Sequence, residues 1–318
     1  MSIDRDESLM INILFAAHPD RWDEYQAPLT KALNEAGLIF DMRTEFSPEQ
    51  VDYIVYAPNS ALQDFTPYTN CRAVLNLWAG VENIVGNQTL RMPLARMIDR
   101  GMTRGMVEWV TGHVMRHHLG MDSHIFGQDG QWRSEIAPLA CDRPVTILGM
   151  GTLGQACAEA LTNLEFPVTG WSRTPKSLPG ITALSGEAQL EKSLESAQIV
   201  ILLLPLTAET QGVINTQRLA ALPKGAVLIN AGRGPLIDDA ALLACLDADH
   251  LGHATLDVFD IEPLPVEHVF WQHPKITVTP HIASATRPTS SSKVIAENIR
   301  RCEAGEALLH LVDRHTGY

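Results

Sequence analysis

Short apolar, β-branched stretches alternate along this chain with longer segments whose apolar residues recur at helical spacing, and this alternation predicts an α/β protein. In the first hundred residues the pattern predicts strands at 11–15, 53–56 and 73–77, with a helix over 24–36 closed by Gly37. A helix is expected over 105–119 and a Gly/Gln/Trp-rich loop over 127–132. Six further strands follow at 145–148, 168–171, 199–204, 226–230, 254–258 and 276–279, with helical windows such as 153–164 and 239–246 among them. Strands separated by helices fit a doubly wound parallel sheet. A final helix is expected over 289–303, and it comes late enough to return to the first unit.

At 318 residues the chain has room for about two domains. The 24 Lys and Arg against 37 Asp and Glu give a net charge of −13, which argues against broad nucleic-acid binding. No run of 18 apolar residues suggests a membrane span. The N-terminus, MSIDRDESLM, lacks the basic start and apolar run of a secretory signal and reads as a frayed tail. Five scattered cysteines without a C-x-x-C pair suit a reducing cytoplasm.

The strand ending at Leu148 runs into Gly149-Met150-Gly151-Thr152-Leu153-Gly154 and then a helical window, which is the order a dinucleotide fold requires. Gly149 suits the tight turn, Gly151 the close approach of a pyrophosphate, and Gly154 the packing of helix on strand. About 20 residues later an NAD-preferring site would place a carboxylate at the end of the second strand. This chain has Trp171-Ser172-Arg173 there, with Lys176 nearby. A hydroxyl and a guanidinium attract a 2′-phosphate, so NADP(H) is favoured, with NAD(H) as the alternative.

Three charged residues follow predicted strand ends: Arg233 in Asn230-Ala-Gly-Arg-Gly-Pro235, Glu262 in Asp257-Val-Phe-Asp-Ile-Glu-Pro263, and His281 in Thr279-Pro-His-Ile-Ala283. Together they fit the interconversion of 2-keto and 2-hydroxy acids. Arginine can grip a carboxylate and carbonyl oxygen in parallel, histidine can exchange a proton with the alkoxide, and glutamate can orient the ring. Taken singly, Arg233 reads as a surface turn, Glu262 as a solvated loop carboxylate and His281 as a strand-end histidine. The Gly-rich motif is what joins them.

These residues resemble those of the D-isomer-specific 2-hydroxyacid dehydrogenases over nearly the whole chain. The motifs are Gly149–Gly154, Leu203-Leu-Pro-Leu-Thr207 with Thr210, Asn230-Ala-Gly-Arg-Gly234, Asp257-Val-Phe259 with Glu262-Pro263, and Pro280-His281. Trp171-Ser-Arg173, Glu262-Pro-Leu-Pro265, Trp271-Gln-His-Pro274 and Val312-Asp-Arg-His-Thr-Gly-Tyr318 are similar to the glyoxylate/hydroxypyruvate reductase A branch. The resemblance implies NADPH-dependent reduction of glyoxylate and hydroxypyruvate, with Arg233 binding substrate, His281 as acid/base and Glu262 paired with it. It further implies cofactor contacts from Leu204, Pro205, Thr210, Ala231, Gly232, Asp257 and Met106, the last just before Glu108. Substrate contacts are implied from the Trp78-Ala79-Gly80 loop, where Trp78 replaces the smaller residue the branch often has.

By the same resemblance the fold has a discontinuous substrate domain, 1–101 and 287–318, an inserted cofactor domain, 102–286, and a cleft that closes on substrate. The family implies a homodimer formed through the cofactor domain. Two rivals share the motifs: another dehydrogenase branch of D-lactate or D-3-phosphoglycerate type, and a non-catalytic dinucleotide sensor. His113, His117 and His118 are expected to be partly exposed helix histidines without a metal, and His273 a bystander lacking a partner. His18 and Trp22 follow the first strand and are candidate cleft residues.

Overall fold

Every strand of this protein that is buried on both faces feeds two packing layers at once, which explains why these strands read as unbroken apolar runs. The computed structural model describes residues 10–314 and Gly317. The acidic N-terminal segment expected to be frayed, and His315, Thr316 and Tyr318 of the C-terminal motif, lie outside the described residues. Residue contacts divide the chain into two units: residues up to Met102 with those from Thr286 onward, and Thr103–Ala285.

The first unit holds strands β1 (Ile11–Ala16), β2 (Phe40–Arg43), β3 (Tyr53–Tyr56), β4 (Ala73–Asn76) and β5 (Leu94–Ala95), all parallel in the order β2-β1-β3-β4-β5. Helix α1 (Arg21–Glu35) packs on the C-terminal helix α9 (Pro288–Glu303), and a single-turn helix, α2 (Glu82–Val85), follows β4. Helix α1 begins three residues before the window expected from apolar spacing. Its first turn carries polar residues and the acidic pair Asp23 and Glu24, which suit a helix N-terminus but add nothing to the apolar stripe.

The long helix α3 (Arg100–His118) leads into the second unit and is followed by α4 (Met121–Ile125). The remaining strands are β6 (Val145–Leu148), β7 (Val168–Ser172), β8 (Thr182–Ser185), β9 (Ile199–Leu202), β10 (Ala226–Asn230), β11 (Leu251–Leu256) and β12 (Ile276–Val278). Their parallel order, β12-β11-β10-β9-β6-β7-β8, is that of a doubly wound dinucleotide-binding sheet. The remaining helices are α5 (Thr152–Asn163), α6 (Glu187–Leu194), α7 (Thr216–Ala221) and α8 (Asp239–Asp247). On β9, Ile199 and Ile201 enter one core cluster while Val200 and Leu202 enter the other, and β6 and β10 alternate in the same way. No described helix is long and apolar enough to cross a membrane.

Three strands, β2, β5 and β8, were not expected. Each lies at a sheet edge and is short: β2, Phe-Asp-Met-Arg, alternates over only four residues, β5 is the pair Leu94-Ala95, and β8, Thr-Ala-Leu-Ser, is exposed to half-buried. Strand β9 stops at Leu202 although the apolar run continues to Leu204, because Pro205 and the turn after it take over the backbone.

Candidate functional site

The chain reverses its order in the second sheet between β6 and β9, and the Gly-rich loop leaves β6 at that point. Gly149 has φ +111°, and a Cβ there would lie 2.5 Å from the Leu203 carbonyl oxygen. At Gly154 an added Cβ would lie 1.9 Å from the Gly149 carbonyl, so helix α5 can approach its own loop only with a bare Cα. Gly151 differs: no atom lies within 4 Å of where its Cβ would stand. Among the described residues no protein acceptor meets the N–H groups of Gly151, Thr152 and Leu153 at the start of α5. Open space beside unmet donors at a helix N-terminus fits a pyrophosphate.

The residues expected around this loop divide into two groups. Met150, Trp171, Leu204 and Met106 are buried, with the Met150 thioether against Gly170 and the Trp171 Nε1–H donating to the Gly186 carbonyl at 3.0 Å. Ser172, at the end of β7, donates its hydroxyl to the Thr174 carbonyl at 2.8 Å, while Arg173 and Lys176 are exposed. The opposite loop is tied down by Thr210, whose hydroxyl donates to the Pro205 carbonyl at 2.7 Å and accepts from the Thr207 N–H. On that loop, hydrogen bonds from the Thr207 hydroxyl and then from the Glu209 backbone N–H hold the Glu209 carboxyl below its ordinary range.

Strands β10, β11 and β12 are parallel neighbours with Asn230, Leu256 and Val278 in register, so the loops after them leave the same edge. Asn230, fully buried, braces the first: its Nδ2 donates to the Arg233 carbonyl at 2.9 Å and its Oδ1 accepts from the Gly232 N–H at 3.0 Å. The Ala231 N–H donates to Leu202, and the Arg233 guanidinium, half-buried, donates to the Gly232 carbonyl at 2.6 Å. In the second loop Glu262 accepts the Phe259 N–H on Oε1, at 2.9 Å, and places Oε2 2.7 Å from His281 Nδ1. Glutamate and imidazole thus form a hydrogen-bonded pair, and the carboxylate fixes the tautomer with a proton on Nδ1 and leaves Nε2 for exchange.

His281 itself sits at φ +53°, an uncommon conformation for a residue with a side chain. Asp257 over-determines that geometry. Its backbone carbonyl accepts the His281 N–H at 2.8 Å, and its carboxylate accepts from Thr279 Oγ1 at 2.6 Å and from the Ile282 and Ala283 N–H groups at 2.9 Å each. Burial raises the Asp257 carboxyl above its ordinary value against the pull of these donors. Asp257, expected as a cofactor contact, has its described contacts with the histidine loop.

In the first unit Asn76 plays the part that Asn230 plays in the second. Its Nδ2 donates to the carbonyls of Trp78 and Gly80 at 2.9 and 3.0 Å, and the N–H groups of Ala79 and Gly80 meet no protein acceptor among the described residues. Both asparagines escaped the reading from sequence. The signal was available, since each is the polar last residue of an otherwise apolar strand.

Two expectations need correction. His118 is not partly exposed but buried edge-on against Phe166, whereas His113 and His117 are half-buried, and His117 bonds Thr255 Oγ1 at 2.8 Å and stacks near His253, with ring centroids 4.9 Å apart. Apolar spacing could not reveal this, because the Phe166 ring against His118 and the Thr255 hydroxyl bonded to His117 come from elements outside α3. His273 has a partner, Asp247, at 3.2 Å. Trp22 packs on Phe15 with centroids 5.4 Å apart, whereas His18 remains half-exposed at the end of β1.

The family model for the D-isomer specific 2-hydroxyacid dehydrogenase NAD binding domain matches residues 111–283. A D-isomer specific 2-hydroxyacid dehydrogenase from Xanthobacter autotrophicus Py2, solved in complex with NADPH and MES, is 38% identical over 96% of this chain and 99% of its own, with a TM-score of 0.90. An NADPH-dependent glyoxylate/hydroxypyruvate reductase from Sinorhizobium meliloti, solved with NADP and sulfate, is 32% identical over 97% and 99%, with a TM-score of 0.86. A probable 2-hydroxyacid dehydrogenase from Rhizobium etli CFN 42, solved with NADP, HEPES and L(+)-tartaric acid, is 28% identical over 97% and 99%, with a TM-score of 0.85. With its Gly-rich loop, its Glu262–His281 pair and these likenesses, the chain belongs to the D-isomer specific 2-hydroxyacid dehydrogenase family of NAD(P)-dependent oxidoreductases.

Proposed function

We propose that this protein reduces small 2-keto acids, glyoxylate and hydroxypyruvate, to 2-hydroxy acids with NADPH. The observation that carries the reading is the Glu262–His281 pair, 2.7 Å apart, on the loops after β11 and β12, which leave the same sheet edge as the Arg233 loop. Bound NADPH supplies the hydride. The N–H groups of Gly151, Thr152 and Leu153 hold its pyrophosphate, and Ser172, Arg173 and Lys176 receive the 2′-phosphate. Complexes of the Xanthobacter, Sinorhizobium and Rhizobium proteins with NADPH or NADP support this preference.

Arg233 grips the substrate carboxylate and polarises the keto oxygen, fixing the orientation of the reacting carbon. His281 delivers its Nε2 proton to the oxygen that gains negative charge, and Glu262 stabilises the imidazolium before that transfer.

The acting form is a cytoplasmic homodimer. Residues 121–139 support pairing: Ile125, Phe126, Trp132, Ile136 and Leu139 all lie exposed there, up to 96% for Trp132, an apolar surface that a second copy of the chain would cover. The five unpaired cysteines are in keeping with a reducing compartment.

The test is NADPH oxidation by the purified protein across a panel of 2-keto acids, repeated with NADH. Glyoxylate and hydroxypyruvate should give the highest kcat/KM, with NADPH ahead of NADH. Tight cofactor binding without turnover of any acid would favour a dinucleotide sensor instead.

A further inference from the structure

Asp257, 1% exposed and the next residue after β11, is bonded through both carboxylate oxygens to the turn that carries His281. Its Oδ1 accepts from Thr279 Oγ1 at 2.6 Å and from the Ile282 N–H at 2.9 Å, and its Oδ2 accepts from the Ala283 N–H at 2.9 Å. One buried group therefore grips the chain two residues before His281 and again one and two residues after it.

The two sides of this clamp differ in kind. After His281 the donors are main-chain amides, which every residue but proline supplies. Before it no amide is free: the Thr279 N–H is spent on the Leu256 carbonyl at 2.9 Å, and Pro280 has none. The Thr279 hydroxyl is the donor that reaches the carboxylate from that side, and its short bond is what an O–H to a carboxylate oxygen gives. A side chain, unlike an amide, can be lost by substitution.

The turn needs such a clamp. At φ +53° His281 occupies a left-handed conformation that a Cβ disfavours and that persists where the surroundings over-determine it. The His281 N–H is shared between the Asp257 carbonyl at 2.8 Å and the Thr279 carbonyl at 3.0 Å, so residue 279 holds the turn by its main chain as well as by its hydroxyl. Glu262 orients the ring through Nδ1, but a ring is placed no better than the Cα that bears it. Burial raises the Asp257 carboxyl, and among the groups that pull it back the Thr279 hydroxyl comes first, ahead of the Ile282 and Ala283 amides and the charge of His281.

We propose that Thr279 is a positioning residue for the proton donor: its hydroxyl anchors the entry of the turn to Asp257 and so fixes where His281 Nε2 delivers its proton. This inference rests on the 2-keto acid reduction proposed above, and every residue of the clamp lies in the second unit. Valine at 279 keeps the branched shape and removes the hydroxyl, leaving the entry of the turn without its tie to the carboxylate while both amide bonds beyond His281 remain.

The experiment compares Thr279→Val and Thr279→Ser with the natural protein, measuring kcat for glyoxylate and hydroxypyruvate per NADPH-binding site titrated by fluorescence, so that an unfolded fraction cancels. Thr279→Val should lose roughly 10- to 100-fold in kcat, the scale of loss when a catalytic group is misplaced by up to about 1 Å, with an NADPH dissociation constant within about threefold of natural. Thr279→Ser restores the hydroxyl and should return kcat to within about threefold of natural. Natural kcat in Thr279→Val, an equal loss in Thr279→Ser, or a matching loss of NADPH affinity in Thr279→Val overturns the positioning role while leaving the reaction in place. If the natural protein reduces neither acid, the reaction fails and the inference falls with it.

Discussion

At the end of β7 a guanidinium stands where an NAD-preferring site carries a carboxylate, and that single exchange of charge should set cofactor choice. Arg173→Asp should lower kcat/KM with NADPH by at least tenfold and raise the NADH to NADPH ratio; an unchanged ratio would remove Arg173 from 2′-phosphate binding. Glu262→Gln keeps the side-chain shape but takes away the charge beside the imidazolium, and it should cut kcat by roughly 10- to 100-fold with little change in NADPH affinity. Reactive side chains such as Arg233 and His281 were legible from sequence because their chemistry is unusual for a turn. Asn76, Asn230 and the backbone-holding part of Asp257 were not, because bracing a loop is done by ordinary residues whose partners are main-chain groups.

Among the elements, the β6–loop–α5 junction was read from spacing alone, since steric demands there leave almost no choice of residue. Gly154→Ala should drive a methyl into the Gly149 carbonyl, and the two backbones can separate only by moving α5. The expected cost is about 1–3 kcal/mol or more, seen as a Tm drop of several degrees together with weaker NADPH binding. A variant with natural Tm and natural NADPH affinity would show that the junction tolerates the methyl. Edge strands β2, β5 and β8 resisted the same reading because two to four residues of weak or interrupted apolar pattern do not establish a period. The burial of His118 on α3 was missed for a related reason: Phe166, the ring it packs against, lies on another element.

For the molecule as a whole, that histidine cluster sets an acid limit. Burial is the main cause pushing His117 down to about 3 and His253 to about 4, so both are neutral in the folded protein at neutral pH. Unfolded histidines protonate near pH 6.5, so stability is complete above that pH and declines as pH falls toward 4, by up to about 1.4 kcal/mol per pH unit for each ring. Replacing His117 and His253 with Gln should flatten the fall of Tm between pH 6.5 and 4.5; an unaltered slope would contradict the burial of neutral imidazoles. For assembly, Phe126→Glu with Trp132→Glu should convert a dimer to a monomer in light scattering, and a dimer persisting in that variant would place the interface elsewhere.

The central claim, that His281 moves the proton while held by Glu262, is tested most directly by His281→Ala measured twice: NADPH dissociation constant by fluorescence, and kcat for glyoxylate. The account predicts an NADPH affinity within about threefold of the natural protein and a kcat reduced by roughly 10² to 10⁴. Natural turnover in that variant would contradict it.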